Sequence, residues 1–519
     1  MDDFNTPNLV LPMAVSFNER GQDGYNSSYT NNTDQLVING FYEEQSNAIV
    51  GNRTIYLKKR PGLKVNPQAS TFRIDFGDRA LIEISPNPSA DYGWWLFQSA
   101  TDGSANPAVN DGSASVSLAA LGYCVAWYDR TSISNTPTGV IQLRSENYTA
   151  FKTFYASVIS SWTEISDSAF TAIQHRGKIE HMDGFAFQLG GDNKIYNSSL
   201  NSLQTWPAAN FITKQIRQDI PVGLAKLNGK LLAFGEGTVE VFGNAGNPTG
   251  SPLLRIPELS NKIGLYTFNS IQFSNYYCEL NGAIYFVGRE AQATRAGGGT
   301  WGTLGNGFWS FNGQSFKKVS DKFIDKILSF EAITWVGTIN FFGRTGIALQ
   351  LLDAPTEWLM YFPDNNSWFR WEATKAHPRN NGRIFIGRAS TATDLLKFQD
   401  DATGVPINMD GASASAGVVQ LEVQMKLPKN SNKRESMAWA GVVADSISAS
   451  ASTTAHGNAD LYISFSDNDY QSFSTPRRID LTQRKKQVYR CGSYDDRAVR
   501  LVHSGNAECR IQAFIAKTL

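Results

Sequence analysis

Histidines and cysteines are the first places to look for chemistry in this chain of 519 residues, which holds five of the former and four of the latter. His175, His181, His377, His456 and His503 show no metal-ligand spacing. The first two stand six apart. With a turn expected between them, they suit neither a helical i, i+4 pair nor a paired strand site. Cys124, Cys278, Cys491 and Cys509 form no Cys-x-x-Cys pair and read as reduced, mostly buried thiols. Cys491 and Cys509 lie in one region and could bond only in an oxidising compartment. No Gly-x-Ser-x-Gly elbow, Walker A loop or His-Glu-x-x-His occurs. The run Gly297–Gly302 lacks the Lys and following helix of a phosphate cradle and reads as a long loop. No catalytic residue, metal ligand or cofactor is assigned, and the expectation is a protein that is not an enzyme.

Composition narrows the class to a large, aromatic-rich β protein. Lys+Arg and Asp+Glu both number 47, so the formal net charge is zero. Charged residues are 18% of the chain, aromatics 12%, with 44 Gly and 19 Pro. Such a chain has too much aromatic content to be disordered. It lacks the global positive charge of a general nucleic-acid binder, and it is too poor in charge for coiled coils. The C-terminal stretch 418–519 carries 14 Lys+Arg and 10 Asp+Glu, so it is +4 and the remainder −4. Basic residues between Arg477 and Arg500 are interleaved with Tyr489 and Tyr494. They fit polar strand faces or a protein interface, with a nucleic-acid patch as the alternative. The start, Met1-Asp2-Asp3-Phe4-Asn5, has neither the basic nor the apolar region of a secretory signal. No run reaches the ~18 apolar residues of a membrane span. Assembly in a cytoplasm, with no membrane segment, is expected.

The elements that must position these residues are strands. A turn residue with Gly, an alternating apolar run and a closing Gly recur at Asp183–Gly190, Asn228–Gly235, Asn281–Gly288 and Asn381–Gly387, with a degenerate copy at Gly337–Gly343. Asn-Gly or Asp-Gly supplies the positive φ of a type I′ hairpin turn. Aromatic strands come next at Gly307–Phe311, Trp358–Phe362 and Ser367–Trp371. Weaker copies lie at Phe76–Ile84 and Leu121–Trp127. Meanders recurring about every 45 to 55 residues are the signature of propeller blades. One short helix is expected over Ser320–Phe330, capped by Ser320. The Gly/Ala/Ser stretch Asp410–Gly417 reads as a linker or long loop. The predicted fold is therefore all-β: a six- or seven-bladed β-propeller over 64–410, a β-sandwich-like platform over 418–519, and an N-terminal arm, 1–63, packing on the platform.

Ser466–Phe473 resembles the Asp-box turn of sialidases, a hairpin cap and not a catalytic motif. Asp469 and Tyr470 stand where that motif has a freer residue pair. The arm carries a second resemblance. Asp34-Gln35-Leu36-Val37-Ile38-Asn39-Gly40-Phe41-Tyr42-Glu43-Glu44, with Leu57-Lys58-Lys59-Arg60-Pro61-Gly62-Leu63 after it, resembles the opening of the packaged-DNA stabilisation proteins of short-tailed bacteriophages. The family's Arg between Gln35 and Leu36 is missing here. The order of later motifs is also similar: Asn281–Gly288, Trp309–Gly313, Lys317–Ser320 and Phe323–Asp325, then Phe465–Asp467, Pro476-Arg477, Arg490–Gly492, Asp496-Arg497 and Val499–Leu501.

The resemblance implies a tail nozzle subunit of a virion tail, assembled in the host cytoplasm as a hexameric ring. Its implied partners are the portal-adaptor protein above and other tail proteins, whether fibre, spike or needle. Genomic DNA would be retained behind it and would pass its channel during ejection without specific binding. Arg60, Pro61 and Gly62 are the candidate assembly and turn residues, with a solvated turn as the plainer reading of Arg60. The rival function is a glycan-binding or glycan-cleaving propeller of a tail fibre.

Overall fold

The computed structural model describes residues 7–13, 36–46, 53–65, 74–75, 78–84, 93–99, 105–107, 109–110, 115–116, 123–133, 136–145, 151–156, 163–247, 249–266, 277–290, 304–330, 333–341, 344–351, 357–372, 396–398, 409–410, 417–428, 434–446, 459–505 and 508–519. The arm contributes β1 (Leu9–Pro12), β2 (Leu36–Ile38), β3 (Gly40–Ser46), β4 (Arg53–Lys59) and β5 (Leu63–Val65).

Six antiparallel meanders then succeed one another in chain order among the described residues. Blade one is β6 (Ile74–Asp75), β7 (Asp78–Ile84), β8 (Gly93–Ser99) and β9 (Ala105–Pro107), after which β10 (Val109–Asn110) pairs with β11 (Ser115–Val116). Blade two is β12 (Tyr123–Ile133), β13 (Thr136–Ser145), β14 (Phe151–Ala156) and β15 (Thr163–Glu164). A one-turn helix, α1 (Ser168–Thr171), leads on, with the Asp167 carboxylate accepting from the amides of Ala169 and Phe170. Blade three is β16 (His175–Met182), β17 (Phe185–Gly190), β18 (Lys194–Asn197) and β19 (Phe211–Thr213). Blade four is β20 (Pro221–Leu227), β21 (Lys230–Gly235), β22 (Val239–Asn244) and β23 (Leu253–Arg255). Blade five has a split first strand, β24 (Ile263–Leu265) and β25 (Tyr277–Leu280), both pairing with β26 (Ala283–Glu290), then β27 (Leu304–Phe311) and β28 (Phe316–Lys318). After α2 (Lys322–Phe330), blade six is β29 (Ile333–Phe341), β30 (Arg344–Leu351), β31 (Glu357–Phe362) and β32 (Ser367–Glu372). The chain is a β-propeller, as its repeating turns imply.

Those turns have the expected backbone. Asp183 and Gly184 take φ of 52° and 81°, Asn228 and Gly229 48° and 70°, and Asn281 and Gly282 51° and 71°. Side chains fill the spaces between blades: Val140, Phe170 and Ile179 between blades two and three, Phe187, Leu224 and Phe242 between three and four. Phe234, Phe286, Phe308, Trp368 and their neighbours pack blades four to six. The link from blade three to blade four is locked by a buried ion pair. Lys214 bonds Asp219 and donates to Thr238 Oγ1 at 2.8 Å, and Asp219 accepts from the Gly237 amide at 2.9 Å.

The degenerate copy at Gly337–Gly343 is placed differently from the others. Gly337–Phe341 lies inside β29, a first strand, and the second strand of that blade begins only at Arg344. Gly337 there is a residue of strand interior and not of a turn. The copy at Asn381–Gly387 and the glycine run Gly297–Gly302 lie outside the described residues. The helix is shorter than expected, and its cap is Asp321, whose Oδ1 accepts from the Ile324 amide at 2.8 Å. Ser320 instead accepts from the Phe308 amide at 2.8 Å and so ties the helix entry to β27.

A regular irregularity marks the first strands. β12, β16, β20 and β29 each carry a bulge, at Val125/Trp127, Arg176/Glu180, Pro221/Gly223 and Ile333/Trp335. The extra residues there, two in β16 and one in each of the others, sharpen the local twist. In blades three and four the bulges meet backbone to backbone. Gly177 has φ of 65°, and a Cβ on it would stand 2.5 Å from the Gly223 Cα.

The platform is a sandwich built from both ends of the chain. Its C-terminal strands are β36 (Leu421–Lys426), β37 (Glu435–Ala444), β38 (Asp460–Ser466), β39 (Arg477–Asp480), β40 (Gln487–Tyr489), β41 (Ser493–Tyr494), β42 (Ala498–His503) and β43 (Arg510–Thr518), preceded by β33 (Leu396–Phe398), which pairs with β5, and by the pair β34 (Met409–Asp410) and β35 (Gly417–Val418). One sheet runs β2-β36-β42-β38-β39, and the other β3-β4-β43-β37-β40, with β1 also on β43 and β41 also on β37. Val37, Phe41, Leu57, Val423, Ile463, Leu501 and Phe514 fill the space between them, together with Trp358, Phe369 and Trp371 of blade six.

Gly177→Ala is expected to destabilise the propeller by about 2 kcal/mol or more, because it adds both positive-φ strain and a backbone clash. Gly229→Ala, also at positive φ but with nothing within 4 Å, should cost about 1 kcal/mol. Urea denaturation of the two variants side by side checks the difference.

Candidate assembly junction

The arm residues that carry the family resemblance converge on one point. The chain leaves β2 at Asn39 and turns into the opposite sheet of the sandwich at Gly40. Asn39 adopts φ of 59°, a conformation Asn accepts more readily than most residues. A Cβ on Gly40 would lie 2.7 Å from Val37 Cγ1 and 2.9 Å from Leu57 Cδ1, so a larger residue at this crossing would make those side chains shift.

Asn39 is bonded through every polar group it owns. Its amide donates to the Arg370 carbonyl at 2.8 Å, and its carbonyl accepts from the Arg60 amide at 2.8 Å. Its side-chain Nδ2 donates to the Gln420 carbonyl at 3.0 Å. Its Oδ1 accepts from the Glu372 amide and from Arg60 Nε, each at 2.8 Å. Blade six, the arm and the platform thus meet on a single side-chain amide. Arg60 completes the joint. It is 1% exposed, and its guanidinium also donates to the carbonyls of Pro61, at 2.9 Å, and of Glu372. The solvated-turn reading does not describe it. Pro61 and Gly62 are buried beside it. Around the joint, Trp371 Nε1 donates to the Gly40 carbonyl at 2.7 Å, and an Arg344 NH group to that of Tyr42 at 2.7 Å.

The neighbouring Lys59 is 2% exposed, and its ammonium donates to the Gly505 carbonyl at 2.6 Å. It stands near His503 and Cys509. Burial pushes the Cys509 thiol up to about 12. Burial, and then the Lys59 charge, push the His503 imidazole down to about 3. Cys491 and Cys509 are both free thiols.

The two remaining described histidines share one strand, β16, with no turn between them. His175 sits in a buried amide network. Its Nε2 lies 3.1 Å from the Phe170 carbonyl, and Gln142 Nε2 donates to Gln188 Oε1 at 3.0 Å. Burial lowers His175 to about 4 and His181 to about 3, the latter helped by Lys226 and Lys178. Among the described residues, no group of three His, Cys, Asp or Glu stands where it could hold a metal ion.

The Asp-box-like turn caps the β38–β39 hairpin. Asn468 Oδ1 accepts from the Ser472 amide at 3.0 Å, and Ser466 Oγ accepts from the Tyr470 amide at 3.0 Å. Asp469 and Tyr470 take φ of 56° and 65°, so the turn keeps the left-handed backbone without a glycine. Nearby, Arg497 forks onto Asp467 at 2.6 and 2.7 Å and stacks 4.4 Å from the Tyr494 ring centroid. Arg497 is thus held by a carboxylate and a ring inside the sandwich, whereas Arg478, Arg484, Lys485 and Arg490 are exposed.

Sequence reasoning singled out Arg60, Pro61 and Gly62 but not Asn39, Lys59 or His503. The Asn39-Gly40 pair was a visible turn signal. No local signal marks Lys59 or His503, whose burial depends on strands joined across the whole chain.

No family model matches the chain, and no curated protein matches it. Among solved structures, it is similar to a chain of a mitotic checkpoint complex, at 10% identity over 66% of this chain and 91% of that one, with a TM-score of 0.34. It is likewise similar to BamB from Moraxella catarrhalis, at 10% identity over 66% of this chain and 100% of that one, with a TM-score of 0.31. A designed protein, Ika8, gives 11%, 66%, 98% and 0.31 for the same quantities.

The junction and the buried imidazoles each lead to a measurable outcome. Arg60→Ala should lower stability by about 3 kcal/mol, since it strips donors from buried acceptors. Arg60→Lys should recover little of this, because an ammonium cannot reproduce the guanidinium fork; urea midpoints of the three proteins check it. The imidazoles His175, His181 and His503 keep folded-state values depressed below 6.5. Below pH 6.5 the unfolded chain therefore binds protons that the folded chain refuses. Stability is full above pH 6.5 and falls as pH drops towards 4, by roughly 1 kcal/mol per histidine for each pH unit. Urea midpoints at pH 7.5 and 5.5 should differ accordingly, and His503→Gln should flatten the dependence.

Proposed function

We propose that this protein is a structural subunit of a short-tailed phage tail nozzle, forming a ring below the portal and its adaptor. The observation that carries the reading is the junction. The two arm segments that resemble the packaged-DNA stabilisation proteins, around Asn39 and around Arg60, are the two segments that bond each other and close blade six onto the platform. In a nozzle, such a joint would hold the propeller at a set angle to a ring-forming sandwich. A neutral chain suits a conduit that DNA crosses without sticking, because phosphate affinity needs clustered basic charge. Propeller loops would offer sites for fibre, spike or needle proteins. Among the described residues no helix is long and apolar enough to cross a membrane.

Images of the purified protein by negative-stain electron microscopy test the proposal. Six-fold rings with an open centre are expected. A protein that stays monomeric at all concentrations and never joins particles would overturn it, and cleavage of oligosaccharides would favour the tail-fibre alternative.

A further inference from the structure

Strand β1 is attached to the molecule in an unusual way. Its ladder runs entirely along β43, pairing Leu9 with Ala516, Val10 with Ile515, Leu11 with Phe514 and Pro12 with Ala513. The other bonds around it also reach β43. The Asn8 amide donates to the Ala516 carbonyl and that of Met13 to the Gln512 carbonyl, while the Asn8 side chain grips Thr518 through Nδ2 at 2.7 Å and Oδ1 at 2.8 Å. Leu9, Leu11 and Met13 enter the sandwich core, whereas Val10 is 55% exposed. Pro7 precedes the strand and Pro12 lies within it, and neither can donate to the ladder.

The place β1 occupies is a bounded slot. β4 pairs with β43 only at Leu57–Ile511 and Lys58–Arg510, and β1 takes over the same edge from Ala513 to Ala516. Without β1 that edge would present open backbone groups and holes for three apolar side chains, a template for any matching strand.

The chain between Met13 and Leu36 comprises 22 residues. Extended, it spans about 70 Å. A chain of 519 residues has a radius of gyration of only about 24 Å when folded. The strand can therefore reach the equivalent slot on an adjacent copy. The contacts are the same in either place, so the choice rests on geometry and effective concentration. In a closed ring every slot is filled when each copy passes its strand to the next, which makes the exchange self-limiting.

We propose that β1 is a donor strand, and that in the assembled ring it completes the platform sheet of a neighbouring copy of this chain. This rests on the ring reading above, and the experiment separates the two. Chains carrying Val10→Cys are mixed with chains carrying Ile515→Cys during assembly. The two positions face each other across the ladder, within disulfide reach. Oligomer mass is read by light scattering, and cross-links on non-reducing gels against a mixture with the parent chain. Exchange gives rings containing disulfide-linked V10C–I515C pairs. Rings without such pairs, together with a V10C/I515C double variant that closes its disulfide within single chains, overturn the exchange and leave the ring standing. Monomers alone overturn both. As a second measurement, removal of residues 1–13 should dissociate the rings while the propeller's near-UV circular dichroism persists. Rings that survive this removal overturn the proposal.

Discussion

A strand of three residues holds this molecule together. β2 is hydrogen-bonded on both edges, parallel to β32 of blade six at Ile38–Arg370 and antiparallel to β36 of the platform. Through it the last blade and one platform sheet become a single nine-stranded sheet. So short a ladder is weak alone. Its strength comes from the residue at its C-terminal end. Asn39 engages its amide, its carbonyl and both side-chain polar atoms with blade six, Arg60 and Gln420, and Arg60 seals the joint from the other side. A guanidinium inside a protein is tolerable only when its donors are satisfied, and here carbonyl and amide oxygens of three chain segments satisfy it. This satisfied cation joins the aromatic core shared with blade six in setting the propeller on the platform.

The local part of the fold was legible in the residues. Asp183-Gly184, Asn228-Gly229 and Asn281-Gly282 announced their hairpins because positive φ at two successive positions leaves few alternatives to Asn, Asp and Gly. The C-terminal strands were visible as alternating runs. The errors were also local, and each has a cause. Gly337 sits in a strand interior that imitates the turn-strand pattern. Ser320 and Asp321 are both good caps, and neighbouring identity alone does not decide which one the helix uses. His175 and His181 share a strand because a bulge, with Gly177 inside it, fits what looked like a turn.

The candidate site was legible only in part, for a different reason. Arg60, Pro61 and Gly62 stood out through resemblance, but nothing near Arg60 says that it is buried. Its burial is made by Glu372 and Asn39, the first 312 residues away. Lys59 and His503 are likewise brought together by strands from opposite ends of the chain. Pattern reading works over a few residues, and these contacts are set by pairing across several hundred.

The sandwich made from both termini has a consequence for synthesis. β43 comes last in chain order among the described strands, yet β1, β4 and β37 all pair with it. At elongation rates of about 5 to 20 residues per second, the arm waits roughly half a minute to a minute and a half for β43. During that time the propeller blades can close one after another from contacts close in sequence, while β4 still lacks the β43 edge it pairs with. The platform is therefore completed late, from pairings of high contact order, and a chain truncated between Glu372 and Arg510 would carry its six blades on an unfinished base.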